Sequence, residues 1–381
     1  MKKFSILLAS AAMLFGAVSC SEEDGPAKPS IDGITDYDNV TNAGNGGGVA
    51  GFYVLNEGNM GFNKATIDFF DYEKGRYARN LFPEANPDEV LALGDMGNDI
   101  AVYGDRLFIV VNGSNKVEVL EAGTARRIGQ LDVSSPRYIA FDGDCCYVTS
   151  YVGGEAGKGS VQRFDIKTLK NTGSVSVGIS PEEMAMVAGK LYVANSADFN
   201  TGTFDNTISV VDLASFKAET PIEVEVNMHH LRAAADGTLW VNSRGNYADK
   251  SSAVFMLENK DGKGYEVAKA FNINCDNFTI GNGKVYFYGT TYDENWNATY
   301  NYGMIDAATA ELLPGSFITD GTEKSIATPY CIAVQPGTGD IFITDAKDYV
   351  SSGAVICYSK DGRKQWSVKA GDIPGHIAFL K

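Results

Sequence analysis

GKLYVANSADFNTGTFDNTISVVDLASFK, residues 189–217, decides the fold. It opens on a glycine turn and runs through a short apolar stretch, Leu191–Ala194, to the polar Asn195. A long loop carrying Phe199 and Phe204 follows, and the chain returns as a second apolar stretch, Ile208–Val211, before an Asp-Leu-Ala-Ser turn. Apolar runs of this length between Gly, Asn, Asp and Ser read as strands joined by hairpins. The opening half recurs as GFYVLNEG from Gly51, GDRLFIVVNG from Gly104, GDCCYVTSY from Gly143, DGTLWVNSRG from Asp236, NGKVYFYGT from Asn282 and TGDIFITDA from Thr338. The strand-turn-strand half recurs as well, for example TIDFFDYEKGRY from Thr66 and AVICYSKDGRK from Ala354.

A further motif precedes every copy but the first: GNDIAVY, SPRYIAFD, SPEEMAMV, NMHHLRAAA, CDNFTIGN and TPYCIAVQ. Its last copy, IPGHIAFLK from Ile373, ends the chain. Each unit thus holds four strands, and Gly51–Lys381 divided by seven gives about 47 residues per unit, a blade's length. The offset motif implies that the C-terminal strand completes the N-terminal unit, because a closed ring removes the exposed sheet edges that an open array would leave. The expected fold is therefore all-β. It is a seven-bladed β-propeller with four antiparallel strands per blade, closed by the C-terminal strand pairing with the N-terminal blade. No sustained helical periodicity supports an α/β reading, and seven matched units disfavour a sandwich or β-helix.

The chain begins with Lys2 and Lys3, an apolar run from Phe4 to Val18, and Ala17-Val18-Ser19-Cys20. That is the shape of a signal peptide, too short to span a bilayer, and its end resembles a bacterial lipobox. The expected organisation is a lipoprotein signal peptide over 1–19, a lipidated Cys20 with a flexible tether over 20–48, and the propeller over 49–381. The tether is expected from its Gly, Asp, Asn, Ser and Pro content. The net charge of −16 is the opposite of a nucleic-acid footprint, so no nucleic-acid partner is expected. Cys145, Cys146, Cys275, Cys331 and Cys357 fit no metal-ligand spacing and are expected as buried thiols, with one disulfide open as an alternative.

In a propeller the residues before each innermost strand, and the loops after each second strand, rim one face. Those positions give the candidate ligand-binding set. Asn98, Arg137, Tyr138, His230, Tyr330 and His376 come from the inner-strand motif. Asn56, Phe62, Tyr151, Phe199, Phe204, Arg244, Tyr247, Tyr292, Trp296 and Tyr349 come from the loops. Rings offer rigid contact area and asparagines offer both donor and acceptor, which suits a large neutral polar ligand. The same residue types also build turns and pack blade edges. His229 and His230 are adjacent on a strand, so only one is expected to face the channel. No catalytic or metal motif is present. Neither an enzyme activity, a cofactor nor a metal is expected, although a lactonase- or lyase-type propeller using His230 or His376 is the alternative.

KLYVANSADFN with TISVVDLASFK resembles the YVTN-type repeats of surface-layer propellers. YVLNEGNMGFNKATIDFFD, together with the acidic Ser21-Glu22-Glu23-Asp24 after Cys20, resembles the Bacteroidota surface lipoproteins that capture cobalamin above a TonB-dependent transporter. That resemblance implies cobalamin, or a related corrinoid, as ligand. It also implies an outer-membrane TonB-dependent transporter as partner, with lipid anchoring on the cell surface. The other reading is a surface module for a different small molecule, a glycan or a protein.

Overall fold

A computed structural model describes residues 27–89, 92–260 and 262–381. The signal peptide and Cys20 lie outside the described residues. Among the described residues the chain folds into seven antiparallel sheets, five of four strands and two of five: blade one gains an extra outer strand, and the outer strand of blade four is split into Lys217–Ala218 and Ile222–Glu223. A small side hairpin pairs Ala197–Asp198 with Thr203–Phe204. The first blade is built from both chain ends. Pro374–Leu380 lies innermost and pairs with Gly51–Asn56, in the register Gly51↔Leu380 to Leu55↔His376. Thr66–Asp71 and Arg76–Ala78 complete it outward. The inner strands of blades two to seven are Gly97–Tyr103, Pro136–Asp142, Pro181–Val187, Met228–Ala233, Asn277–Gly281 and Pro329–Val334. The ring therefore closes as expected.

The apolar runs are explained by two-sided burial. In Arg106–Val111, Leu107, Ile109 and Val111 pack toward blade one, while Phe108 and Val110 pack toward blade three. In Lys190–Asn195, Leu191 and Val193 face one gap and Tyr192 and Ala194 the other. Successive strand residues point to opposite faces, so a strand between two neighbouring blades needs apolar residues at every position. One hydrophobic cluster fills each of the seven gaps between blades. Each fully buried Leu, Ile or Phe in them contributes about 1.5–3 kcal/mol.

The expected tether begins to pack earlier than its composition suggests. Tyr37–Asn39 adds an outermost strand to blade one, in the register Tyr37↔Ala78 to Asn39↔Arg76. Ile31 and Ile34 are buried in the gap between blades one and two. Arg79 binds Asp36 and Asp38 and donates to the Lys369 carbonyl at 3.0 Å. Within the described part of 20–48, the segment is thus a strap across the ring's seam. Two isoleucines and the pairing of Arg79 with Asp36 and Asp38 help to hold it.

All five cysteines of the described residues are unpaired, and four of them are buried. Burial pushes the Cys146 and Cys331 thiols up to about 12, which keeps them protonated and inert.

Candidate functional site

The mouth of the channel is shaped by irregularities at the start of the inner strands. Six of the seven shift register there, at Gly97/Asp99, opposite Val148/Ser150, and at Pro181/Met184, Met228/Leu231, Pro329/Ile332 and opposite Leu55/Asn56. Only Asn277–Gly281 pairs without a shift. Met96, Ser135, Ser180, Asn227 and Ile373, each one residue before an inner strand, hold φ between +44° and +57°. For a non-glycine residue that costs about 1–3 kcal/mol and gathers where function re-aims side chains.

One consequence corrects the strand-alternation reading of the two adjacent histidines. The shift between Met228 and Leu231 turns both His229 and His230 to the cavity, with ring centroids 4.0 Å apart. His229 Nε2 pairs with the Tyr138 hydroxyl at 3.0 Å. His230 Nδ1 pairs with Glu183 Oε2 at 2.8 Å, while its backbone N–H donates to Asn242 Oδ1 at 2.7 Å.

A cavity of about 660 Å³ opens at this face. Its floor comes mainly from inner strands. His376 lies between two carboxylates, Nε2 being 3.6 Å from Glu57 and Nδ1 3.6 Å from Asp99. The Tyr330 hydroxyl donates to Glu57 at 2.9 Å. Arg137 binds Glu182 at 2.9 Å, reaches Asn98 Oδ1, and lies over the Tyr151 ring at 4.9 Å. The wall is one-sided: Arg244, Tyr247 and Lys250 from blade five, Tyr292 and Tyr300 from blade six, and Tyr330 and Tyr349 from blade seven.

Burial holds the imidazoles neutral. His229 is driven well below its ordinary value, and His376 falls to about 3. Burial also opposes ionisation of Glu183, but Arg232 at 2.9 Å and His230 overcome it and bring that carboxyl down to about 2. Glu57 and Asp99 go the other way, and burial pushes both up to about 7.

A test of this burial follows. Unfolded Glu57 ionises above its ordinary 4.5, whereas the folded side chain keeps its proton to about 7. Its contribution to stability is full below pH 4.5 and is lost as the pH rises to about 7. Glu57→Gln is therefore expected to gain thermal stability relative to wild type across that window. Melting curves at closely spaced pH values check it, and a difference that stays flat with pH refutes it.

Of the residues expected at the site, Asn98, Arg137, Tyr138, His230, Arg244, Tyr247, Tyr292, Tyr330, Tyr349 and His376 line the cavity. The others do not. Asn56 is fully buried and donates to Thr66 Oγ1 at 3.0 Å, a contact inside its own blade. Tyr151 lies behind the floor with its hydroxyl on Glu182. Phe62 and Trp296 are 67% and 82% exposed on loop tips. Phe199 packs between Phe204 and Tyr247, with centroids 6.3 and 6.2 Å away. These last four stand as a crown outside the cavity. Lys250, Ser252, Asn274, Tyr288 and Thr290 line it without having been singled out. The return limb of the blade-five loop signals Lys250 and Ser252, the second strand of blade six signals Tyr288 and Thr290, and the approach to that blade's inner strand signals Asn274. The Asn277 Oδ1, at a residue 6% exposed, has no hydrogen-bond partner.

The family model for DUF5074, a domain of unknown function, matches residues 50–364. No curated protein matches the chain. Among solved structures the chain is similar to a quinonprotein alcohol dehydrogenase-like protein of Bacteroides thetaiotaomicron VPI-5482, at 15% identity and a TM-score of 0.63, over 87% of this chain and 78% of that one. It is also similar to the periplasmic gluconolactonase PpgL of Pseudomonas aeruginosa, at 14% identity and a TM-score of 0.56, over 87% and 99%. A third similar structure, Kuenenia stuttgartiensis hydrazine synthase, shows 19% identity and a TM-score of 0.55, over 70% and 77%. At these identities the likeness speaks to the propeller fold alone.

Proposed function

The chain belongs to the DUF5074 family, and from the rings it gathers around one mouth we propose that it is a binding protein for a large, neutral, amide-bearing small molecule. Cobalamin or a related corrinoid is the specific ligand of this reading. The protein is held at the outer membrane by a lipid on Cys20, exposed at the cell surface, and delivers its ligand to a TonB-dependent transporter. It has no catalytic step.

The observation that carries the reading is the wall of the cavity. Four tyrosines from three consecutive blades, Tyr247, Tyr292, Tyr300 and Tyr349, face a floor whose Asn98 and Asn277 carry amides. Rings supply broad contact at low entropic cost. The unpartnered Asn277 Oδ1 is an acceptor suited to a ligand N–H, and a buried polar atom left unpaired costs about 1–3 kcal/mol. A rigid closed ring also loses little freedom on binding. On the floor the Arg137 guanidinium is compensated within the protein by Glu182 at 2.9 Å. That favours a neutral guest over a phosphate.

Calorimetric titration with cyanocobalamin is expected to give a dissociation constant below micromolar. Heat equal to buffer dilution removes corrinoids from the reading. Asn277→Leu is expected to weaken binding about 5- to 150-fold, or ~1–3 kcal/mol. Trp296→Ala is expected to weaken binding by freeing the cavity-lining Tyr292, whose ring it packs against at 6.0 Å between centroids, while changing stability by less than ~0.5 kcal/mol, since Trp296 is itself 82% exposed outside the cavity.

A further inference from the structure

The strap enters the propeller at the end opposite the cavity. Gly51–Asn56 runs from that far end to the mouth, where Glu57 lines the cavity. Thr66–Asp71 returns, so the turn between Asp71 and Arg76 lies at the far end. Lys28 is fixed to that turn, its Nζ 2.7 Å from Asp71 Oδ1 and 2.5 Å from Glu73 Oε2, and the Asp71 side chain is 1% exposed. Ala27 packs against Gly123, in the equivalent turn of blade two, so closely that a Cβ on Gly123 would fall 2.8 Å from the Ala27 Cβ. Lys74 of the blade-one turn also binds Asp32 at 2.7 Å. Buried Ile31 and Ile34 hold the rest of the segment between blades one and two. A charged pair on a buried carboxylate and two sealed isoleucines make this attachment part of the fold, not a passing contact.

Six residues separate Cys20 from Ala27. At full extension they let the Cys20 Cα lie no further than about 25 Å from the Ala27 Cα. The strand from Gly51 to Asn56 spans about 17 Å at ~3.3 Å per residue step, and the loops carrying Met60, Phe62 and Trp296 rise beyond it. We infer that the end of the propeller opposite the cavity is its membrane-facing surface, so that the ligand mouth opens away from the leaflet holding the Cys20 lipid. The inference rests on lipidation of Cys20 but not on the ligand's identity. It recasts delivery: ligand is taken from solution in the outward pose, and transfer to a membrane partner requires the propeller to turn over on its tether.

The test uses the full lipoprotein in phosphatidylethanolamine–phosphatidylglycerol vesicles bearing a headgroup acceptor dye. A donor dye is placed on Thr124→Cys, in the turn beside Ala27, or on Asn295→Cys, in the exposed loop beside Trp296, each in a Cys145→Ser background. Energy transfer to the lipid dye is expected to be several-fold greater from position 124. Equal transfer, or more from position 295, overturns the inference. Charging the strap with Ile31→Asp and Ile34→Asp is expected to bring the two signals together, and an unchanged ratio also overturns it. Cys20→Ala is expected to remain in the supernatant. If it still binds the vesicles, the anchoring premise fails, and that failure is separate from any result of corrinoid titration.

Discussion

A chain truncated after Ile373 is expected to lose its cooperative unfolding transition. Pro374–Leu380 is the innermost strand of the blade made from both chain ends, and it pairs along the whole of Gly51–Asn56. Its loss uncovers Tyr53 and Leu55, now fully buried, and removes Ala378 and Leu380 from the cluster between blades one and two. Two bonds go with it, one across the seam from Thr344 Oγ1 to the Pro374 carbonyl at 2.6 Å and one within blade one from Ala50 N–H to the Leu380 carbonyl at 2.8 Å. Gly51–Asn56 is also left as an unpaired inner sheet edge. The combined loss is comparable with the whole stability of a domain, ~5–15 kcal/mol. Calorimetry and near-ultraviolet circular dichroism check it, and a truncated protein melting within a few degrees of the intact one contradicts ring closure as the basis of stability.

Arg137→Ala is expected to cost ~3–5 kcal/mol, because it strands a buried carboxylate. The Glu182 side chain is 2% exposed and receives Arg137 Nε at 2.9 Å. The same guanidinium ties Asn98 to blade three and covers the Tyr151 ring. Alanine leaves the negative charge in place and removes its partner. The double variant Arg137→Ala with Glu182→Gln removes the stranded charge and is expected to recover part of the loss, as coupled neighbours do. Denaturant melts of the set decide it: equal stability for the single and double variants means that the charge pair is not what holds the floor together.

The fold was legible because burial on both faces leaves a mark in every strand. Leu107 to Val111 are apolar without interruption, and the return of that run at blade spacing gives the ring. The inner-strand motif was also legible as one end of the channel, which is why Asn98, Arg137, Tyr138, Tyr330 and His376 fall together. What alternation cannot show is a shift of register. The irregular pairing after Met228 brings His229 to the cavity beside His230, and no period-two pattern encodes it. Loop rings were harder still. Tyr247 and Trp296 occupy similar places in sequence, yet one lines the cavity and the other stands clear of it. Asn56 looks like Asn98 in composition, but ends a second strand, where side chains lock the blade and do not meet a ligand. The strap was missed because Ile31 and Ile34 are two apolar residues in a polar stretch.

The sealed thiols give the molecule its own gauge of breathing. Cys146, Cys275 and Cys357 each belong to a different seam: between blades two and three, five and six, and seven and one. With Cys145 replaced, a pulse of alkylating reagent under rising denaturant would mark whichever seam parts first. If the junction of the chain's ends is the weak point, Cys357 reacts before the other two. Simultaneous modification of all three would mean that the ring opens as a single unit.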